Sequence, residues 1–160
     1  MKKEMILVIL MALCSLAMNA EPLSNSSEKM TSKGYRGNVS AAISFDCIFK
    51  NDIAGFISTS HGYYLGKGLW LGGGMGVFLP IDEVPSLPFY SEIKYTCLNE
   101  KVSPYIACKL GFCLYESAED LYAYISPTIG LNIGNWSFFM SYNDIRLMKF
   151  TNVGFAWNFR

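Results

Sequence analysis

The chain has 160 residues, 51% of them hydrophobic and 15% aromatic, and its 13 basic residues balance 13 acidic ones. Zero net charge removes the electrostatic footprint of a nucleic-acid binder, and a charged share of 16% is low for a soluble domain, where roughly 25% is usual. A single histidine, and five cysteines with no Cys-x-x-Cys among them, exclude the common structural zinc patterns.

Lys2 and Lys3 lead into the apolar run Met5 to Ala17 and then Met18-Asn19-Ala20, which is the layout of a secretory signal peptide over residues 1–20. That run falls short of the roughly 20 residues a membrane-spanning helix needs, so a retained helical anchor is not expected. Cleavage after Ala20 makes Glu21 the new N-terminus, with cleavage after Ala17 as the alternative. Leu13 stands before Cys14 where a lipoprotein signal has a small residue, which disfavours lipidation. Residues 21–33 are rich in Ser, Lys, Glu and Asn and read as a flexible periplasmic lead-in. Residues 34–160 read as one domain.

Within that domain no stretch carries a 3.6-residue apolar period, whereas β-branched and aromatic residues recur at period two between turn signals. Tyr35, Gly37, Val39, Ala41, Ile43 and Phe45 share one face of a first strand, against Arg36, Asn38, Ser40, Ala42 and Ser44. A weaker second strand runs from Ile53 to His61. In the third, Leu69, Leu71, Met75, Val77 and Leu79 oppose Trp70, Gly72, Gly74, Gly76 and Phe78. The fourth sets Phe89, Ser91, Ile93 and Tyr95 against Tyr90, Glu92 and Lys94, and the fifth alternates from Pro104 to Leu114 with Tyr105, Ala107, Lys109 and Gly111 on its second face. Tyr122 to Asn143 is a hairpin about Gly134-Asn135, a two-residue turn signal that sets Ile133 opposite Trp136, Leu131 opposite Phe138 and Ile129 opposite Met140. A last strand covers Phe150 to Phe159.

Strands of this length joined as successive hairpins, about eight of them, can close without leaving an edge, and closure is what hydrocarbon demands of a sheet. Arg36, Glu92, Lys94 and Lys109 all fall on the face of glycine, serine and asparagine, leaving the aliphatic and aromatic face free of charge. The expected fold is therefore all-β: an eight-stranded antiparallel up-and-down transmembrane β-barrel with its apolar face to lipid. Eight strands enclose room only for side chains, so the lumen is expected to be filled by Trp70, Phe139 and Tyr124 over the third-strand glycines. Mirroring the fourth and fifth strands about Glu100-Lys101 sets Glu92 opposite Lys109 as a lumen ion pair. Arg36, Glu92, Lys94 and Lys109 together form the expected lumen polar network.

The chain end, Asn152-Val153-Gly154-Phe155-Ala156-Trp157-Asn158-Phe159, resembles the terminal-strand signal of outer-membrane barrels: a polar residue, a glycine two later, and alternating hydrophobics closing on an aromatic. The resemblance makes Asn152, Gly154, Trp157 and Phe159 an assembly signal, with Val153, Phe155, Trp157 and Phe159 toward lipid. Arg160 after the aromatic departs from the common ending. Leu87 to Tyr95 and Lys101 to Phe112 look like the small outer-membrane β-barrel proteins of the Bacteroidota type. That resemblance, spread over nearly all of residues 21–160, implies an integral outer-membrane location, with outer-membrane lipid and the barrel-assembly machinery as partners.

Of residues able to do chemistry, His61 with Ser58 and Ser60 could serve a lipid-modifying enzyme. A descending second strand puts His61 near the periplasmic turn, however, and alternation turns Ser60 away from it. Glu92, Lys94 and Lys109 could relay protons, but in a narrow filled barrel they read as a satisfied interior. Cys97 and Cys108 are offset in register and Cys113 points to the opposite face, so these read as small apolar fillers, with Cys47 in a loop left open. Gly66-x-Gly68 and Gly72-Gly73-Gly74-x-Gly76 read as a turn and a packed strand face, since no helix follows to present its N-terminus to a phosphate. The loops at the outer end are short. The expectation is a monomer without cofactor, metal or catalytic residue, in the cell outer membrane, with a structural or surface-interaction role. A secreted soluble lipocalin-like barrel holding a small apolar ligand is the second reading, and an outer-membrane enzyme the third.

Overall fold

The computed structural model describes residues 33–46, 53–80, 84–97, 102–115, 120–145 and 148–159; the leader, most of the lead-in and Cys47 lie outside them. Eight antiparallel strands follow one another around a closed barrel. They are β1 (Gly34–Asp46), β2 (Ile53–Gly66), β3 (Leu69–Pro80), β4 (Leu87–Thr96), β5 (Val102–Tyr115), β6 (Asp120–Ile133), β7 (Trp136–Ile145) and β8 (Met148–Phe159). Closure is made where β1 pairs with β8, from Gly37 opposite Phe159 to Asp46 opposite Phe150. Both ends of the barrel domain and the β2–β3, β4–β5 and β6–β7 connections lie at one end, the termini end; the β1–β2, β3–β4, β5–β6 and β7–β8 connections lie at the far end.

The expected registers are those observed. Ile133 pairs with Trp136, Leu131 with Phe138 and Ile129 with Met140 across the Gly134 turn, where Gly134 has a φ of 60°. Glu92 pairs with Lys109. β2 runs beyond His61 because Tyr63 and Leu65 continue the outward row while Tyr64 continues the inward one. It stops at Gly66-Lys67-Gly68, whose φ values of 91°, 51° and 83° suit glycine at two of the three positions. The β6–β7 ladder is interrupted between Thr128–Ser141 and Ile125–Asp144, where Pro127 has no N–H to donate. Toward β5 the same residue keeps its pairing with Cys108.

Alternation sorts the two faces as the sequence leads one to expect. Ile43, Leu71, Ile93, Ile106, Leu110, Ile125, Ile129, Phe138, Met140, Val153 and Phe155 all stand 40–60% exposed on the outer wall. Tyr35, Tyr63, Tyr95 and Trp136 are exposed at its termini end, the pattern of an interfacial aromatic belt. Among the described side chains no charge falls within this band. Asp144 and Lys149 are register partners at its far rim. Phe159 departs from the expected outward exposure and is buried. Its register partner Gly37 has no side chain, so the ring drops onto the backbone there, held between His61 and Trp157 at centroid distances of 5.8 and 5.6 Å.

A cation placed on the outer band should be expensive in lipid and cheap at the rim. Leu110→Arg and Met140→Arg are each expected to lower unfolding free energy in phospholipid vesicles by about 2–4 kcal/mol, the midplane range for such barrels. Lys149→Arg, at the rim, should change it little.

Candidate functional site

Chemistry-bearing side chains concentrate in the lumen, which changes character along its length. Its far half is closed by Phe56, Phe78, Tyr90, Cys113, Tyr124 and Ile145, packed as one cluster. Phe56 and Phe78 stack at 4.3 Å. Glycines make that filling fit: a Cβ at Gly76 would overlap the Phe56 ring, one at Gly74 the Tyr90 ring, and one at Gly72 the Trp70 ring. Trp70, Phe139 and Tyr124, the expected fillers, are all buried.

The middle is polar. Glu92 and Lys109, 7% and 8% exposed, sit side by side on β4 and β5, but their charged ends reach different partners. The carboxylate of Glu92 accepts a 2.7 Å hydrogen bond from Ser60 Oγ of β2, reaching over the glycines of β3. The Lys109 ammonium lies 4.7 Å from the centroid of Tyr90 and 5.9 Å from that of Phe56. The electron-rich ring faces thus take the place of a contact ion pair, a cation–π arrangement that desolvation strengthens. Ser60 Oγ lies 3.1 Å from Tyr90 Oη, and Tyr124 Oη donates to Asn143 Oδ1 at 2.8 Å. Asn152, buried and opposite Ser44 and Ser141, makes no side-chain hydrogen bond to a described group. At roughly 1–3 kcal/mol per unmet buried group it marks the least satisfied level of the lumen.

The termini end holds the other two expected network residues. Arg36 lies 3.9 Å over the Tyr64 ring, and Lys94 lies 3.9 Å over the Tyr105 ring while donating to Asn132 Oδ1 at 3.3 Å. Ser137 Oγ also donates to Asn132 Oδ1, and Asn158 Nδ2 donates to Ser137 Oγ, both at 2.7 Å. Arg36 and Lys94 line one cavity of about 70 Å3 with Asn38, Asn132 and Asn158. Lys94 also borders a smaller one of about 20 Å3 together with Glu92 and Lys109. The four residues grouped from sequence are thus strung along the inner wall in two levels, Glu92–Lys109 at the middle and Arg36–Lys94 at the mouth. What the sequence did not reveal are Ser60 and the lumen tyrosines as their partners: Ser60 of β2 reaches Glu92 over β3, while Arg36 and Tyr64, Lys109 and Tyr90, and Lys94 and Tyr105 are diagonal neighbours on paired strands.

His61 stands on the other face. Its Nδ1 is hydrogen-bonded to Tyr35 Oη and its Nε2 lies 3.0 Å from Thr59 Oγ1, which donates to the Asn38 carbonyl. Both ring nitrogens are engaged, and the strand separates His61 from Ser58 and Ser60, whose hydroxyls are buried in the lumen. Of the residues of the terminal signal, Asn152 is inside and Gly154 presses against Ala42 of β1, where a Cβ would overlap. Trp157 and Phe159 form the outer corner with His61. Cys97 is exposed at the β4–β5 turn, Cys108 half-buried and Cys113 fully buried, all three as free thiols. Among the described residues no group of three or more His, Cys, Asp and Glu gathers as a metal site.

No family model matches the chain, and no curated protein does. Solved structures do match. The chain superimposes on the outer membrane enzyme PagL with a TM-score of 0.57 at 14% identity, covering 77% of this chain and 99% of that one. For the N-terminal β-barrel domain of Pseudomonas aeruginosa OprF the TM-score is 0.56 at 15% identity, over 80% of this chain and 100% of that one. The fold is that of the small transmembrane β-barrels. A de novo designed transmembrane β-barrel shares it too, with a TM-score of 0.53 at 12% identity over 77% of this chain and 94% of that one. At these identities the likeness is one of fold alone, and a shared fold does not assign an activity.

The buried charges of this barrel are mutually dependent. Lys109→Met leaves Glu92 with one fewer compensating cation, so it is expected to cost about 3–5 kcal/mol, the range for stranding one member of a buried pair. Adding Glu92→Gln to it should recover most of that loss in denaturant titrations of the refolded protein.

Proposed function

We propose that the protein is a monomeric integral barrel of the outer membrane, held by outer-membrane lipid and inserted by the barrel-assembly machinery, with a structural or surface-interaction role and no catalytic activity. One observation carries the reading: among the described residues the wall presents an apolar band free of charged side chains while Glu92 and Lys109 are buried within. In water that arrangement exposes the greasy face and hides the soluble one. In a bilayer both faces meet their preferred surroundings. The terminal strand, with Gly154, Trp157 and Phe159, supports recognition by the assembly machinery, and residues 87–95 and 101–112 support kinship with Bacteroidota-type barrels.

PagL is an outer membrane enzyme, so a catalytic reading has a specific advocate. The residues that would serve it are set apart: Ser60 is committed to Glu92 inside the barrel, and His61 is committed to Tyr35 and Thr59 outside. A lipocalin-like role fits no better, because cavities of about 70 and 20 Å3 lie far below the roughly 300–1,000 Å3 of a small-molecule pocket.

Membrane fractionation with heat-modified gel mobility tests the proposal. The protein is expected to stay with outer membranes through high-salt and alkaline washes, and to run faster unheated than boiled. Recovery in the soluble periplasmic fraction would overturn it.

A further inference from the structure

Polar side chains elsewhere in the lumen answer one another, as Tyr124 answers Asn143 and Ser137 answers Asn132. One level does not. Ser44 of β1, Asn152 of β8, Ser141 of β7 and Thr128 of β6 are successive register partners, and all of them are buried. Ser44 Oγ and both polar atoms of the Asn152 side chain have no hydrogen-bond partner among the described residues. Ser141 Oγ accepts a long hydrogen bond from Asn143 Nδ2 at 3.5 Å, which leaves its own proton to donate. A buried donor or acceptor gives up its hydration on folding, and without a replacement that loss is not recovered. A lumen that served only to be filled would be more stable with an apolar side chain at position 152.

What is unmet identifies the chemistry that would meet it. Asn152 offers an N–H donor and a carbonyl acceptor, and both lack a partner whichever way round the carboxamide is placed. A cation would serve only the oxygens of the row, and an anion only its N–H and O–H groups. Water both donates and accepts, and so does each serine hydroxyl it would meet.

The row is also continuous with space of the right size. Thr128, at its β6 end, lines the cavity of about 20 Å3, room for a single water at roughly 10–15 Å3 each. On β8 and β1 the lumen-facing positions between that cavity and the row are the ladder partners Gly154 and Ala42, which carry next to no side chain. Beyond them Ala156 and Ser40 line the same cavity. It shares Asn38, Lys94 and Asn158 with the larger cavity at the mouth, so the way inward begins at the termini end.

We propose that Ser44, Ser141 and Asn152 form a binding site for internal water, which carries hydration beyond the Glu92–Lys109 cavity to the seam where β1 closes on β8. Water there completes the hydrogen bonding of three adjacent strands, and the seam is held in part by a ligand that the chain does not supply.

The test uses the chain refolded in detergent micelles, where no assembly machinery acts and the place of Asn152 in the terminal signal does not enter. Water-selective NMR of the 15N-labelled protein should show a dipolar cross-peak between water and the Asn152 carboxamide protons, with the sign of a long-lived contact. The cross-peak should persist in Ser141→Ala, which excludes relay through that hydroxyl. Substitution gives an independent reading, by its sign. If water meets Asn152, Asn152→Val strands it and lowers the folding equilibrium constant by about tenfold, and Ser44→Ala lowers it in the same direction. If the site is dry, Asn152→Val removes an orphaned group and raises that constant. A carboxamide without water contact, a cross-peak lost in Ser141→Ala, or a more stable Asn152→Val variant would overturn the proposal. Faster mobility of each unheated variant shows that it is folded, and because the site lies inside the barrel its failure leaves the membrane reading of the wall untouched.

Discussion

A sheet immersed in hydrocarbon has nowhere to send an unpaired backbone group, and the pairing of β1 with β8 removes the two edges that eight consecutive antiparallel strands would otherwise leave. From that closure the rest follows. Once the ring is shut, each strand has one face toward lipid and one toward a space wide enough only for side chains. Every residue is then assigned to one of two environments by its parity, and the apolar wall and polar lumen are consequences of that assignment. Where the ladder is locally broken, at Pro127, the break faces β7 alone and the β5 side remains paired, so the ring survives a residue that a central strand rarely tolerates.

The lumen solves a second problem, that of volume. Large rings cannot sit opposite large rings in so narrow a space, and the pairing of glycine rows with aromatic side chains resolves the conflict. Gly72 lies beneath Trp70, Gly74 beneath Tyr90, Gly76 beneath Phe56 and Gly130 beneath Tyr105. The same rings then act as partners for buried cations, with Lys109 over Tyr90, Lys94 over Tyr105 and Arg36 over Tyr64. Packing and charge compensation are in this way carried by one set of residues. The result differs from end to end, with the aromatic cluster in the far half and Arg36 and Lys94 at the mouth.

The likeness to PagL, the OprF domain and a designed barrel bears on the wall more than on the lumen. What those proteins share with this chain at 12–15% identity is the closed eight-stranded ring, which constrains little beyond the alternation of apolar residues. Any activity peculiar to this protein has to come from the residues the fold leaves free, inside the barrel and at its ends.

Much of this was legible in the residues alone. The hairpin about Gly134, the register that sets Glu92 beside Lys109, and the face on which each charge falls all depend on period two and on turn chemistry, which act between residues close in the chain. The length of β2 was not, because Gly62 in the middle of its last rows looks like a stop until Trp70 is seen to need that space. Nor was the burial of Phe159, which depends on Gly37 at the opposite end of the domain. The tertiary structure alone decided the contacts between strands that are not ladder neighbours: Ser60 to Glu92 over β3, and Arg36 with Lys94 around one recess. Those depend on barrel diameter and strand stagger, quantities that exist only once all eight strands have closed, whereas the sidedness of each strand is already written in its own alternation.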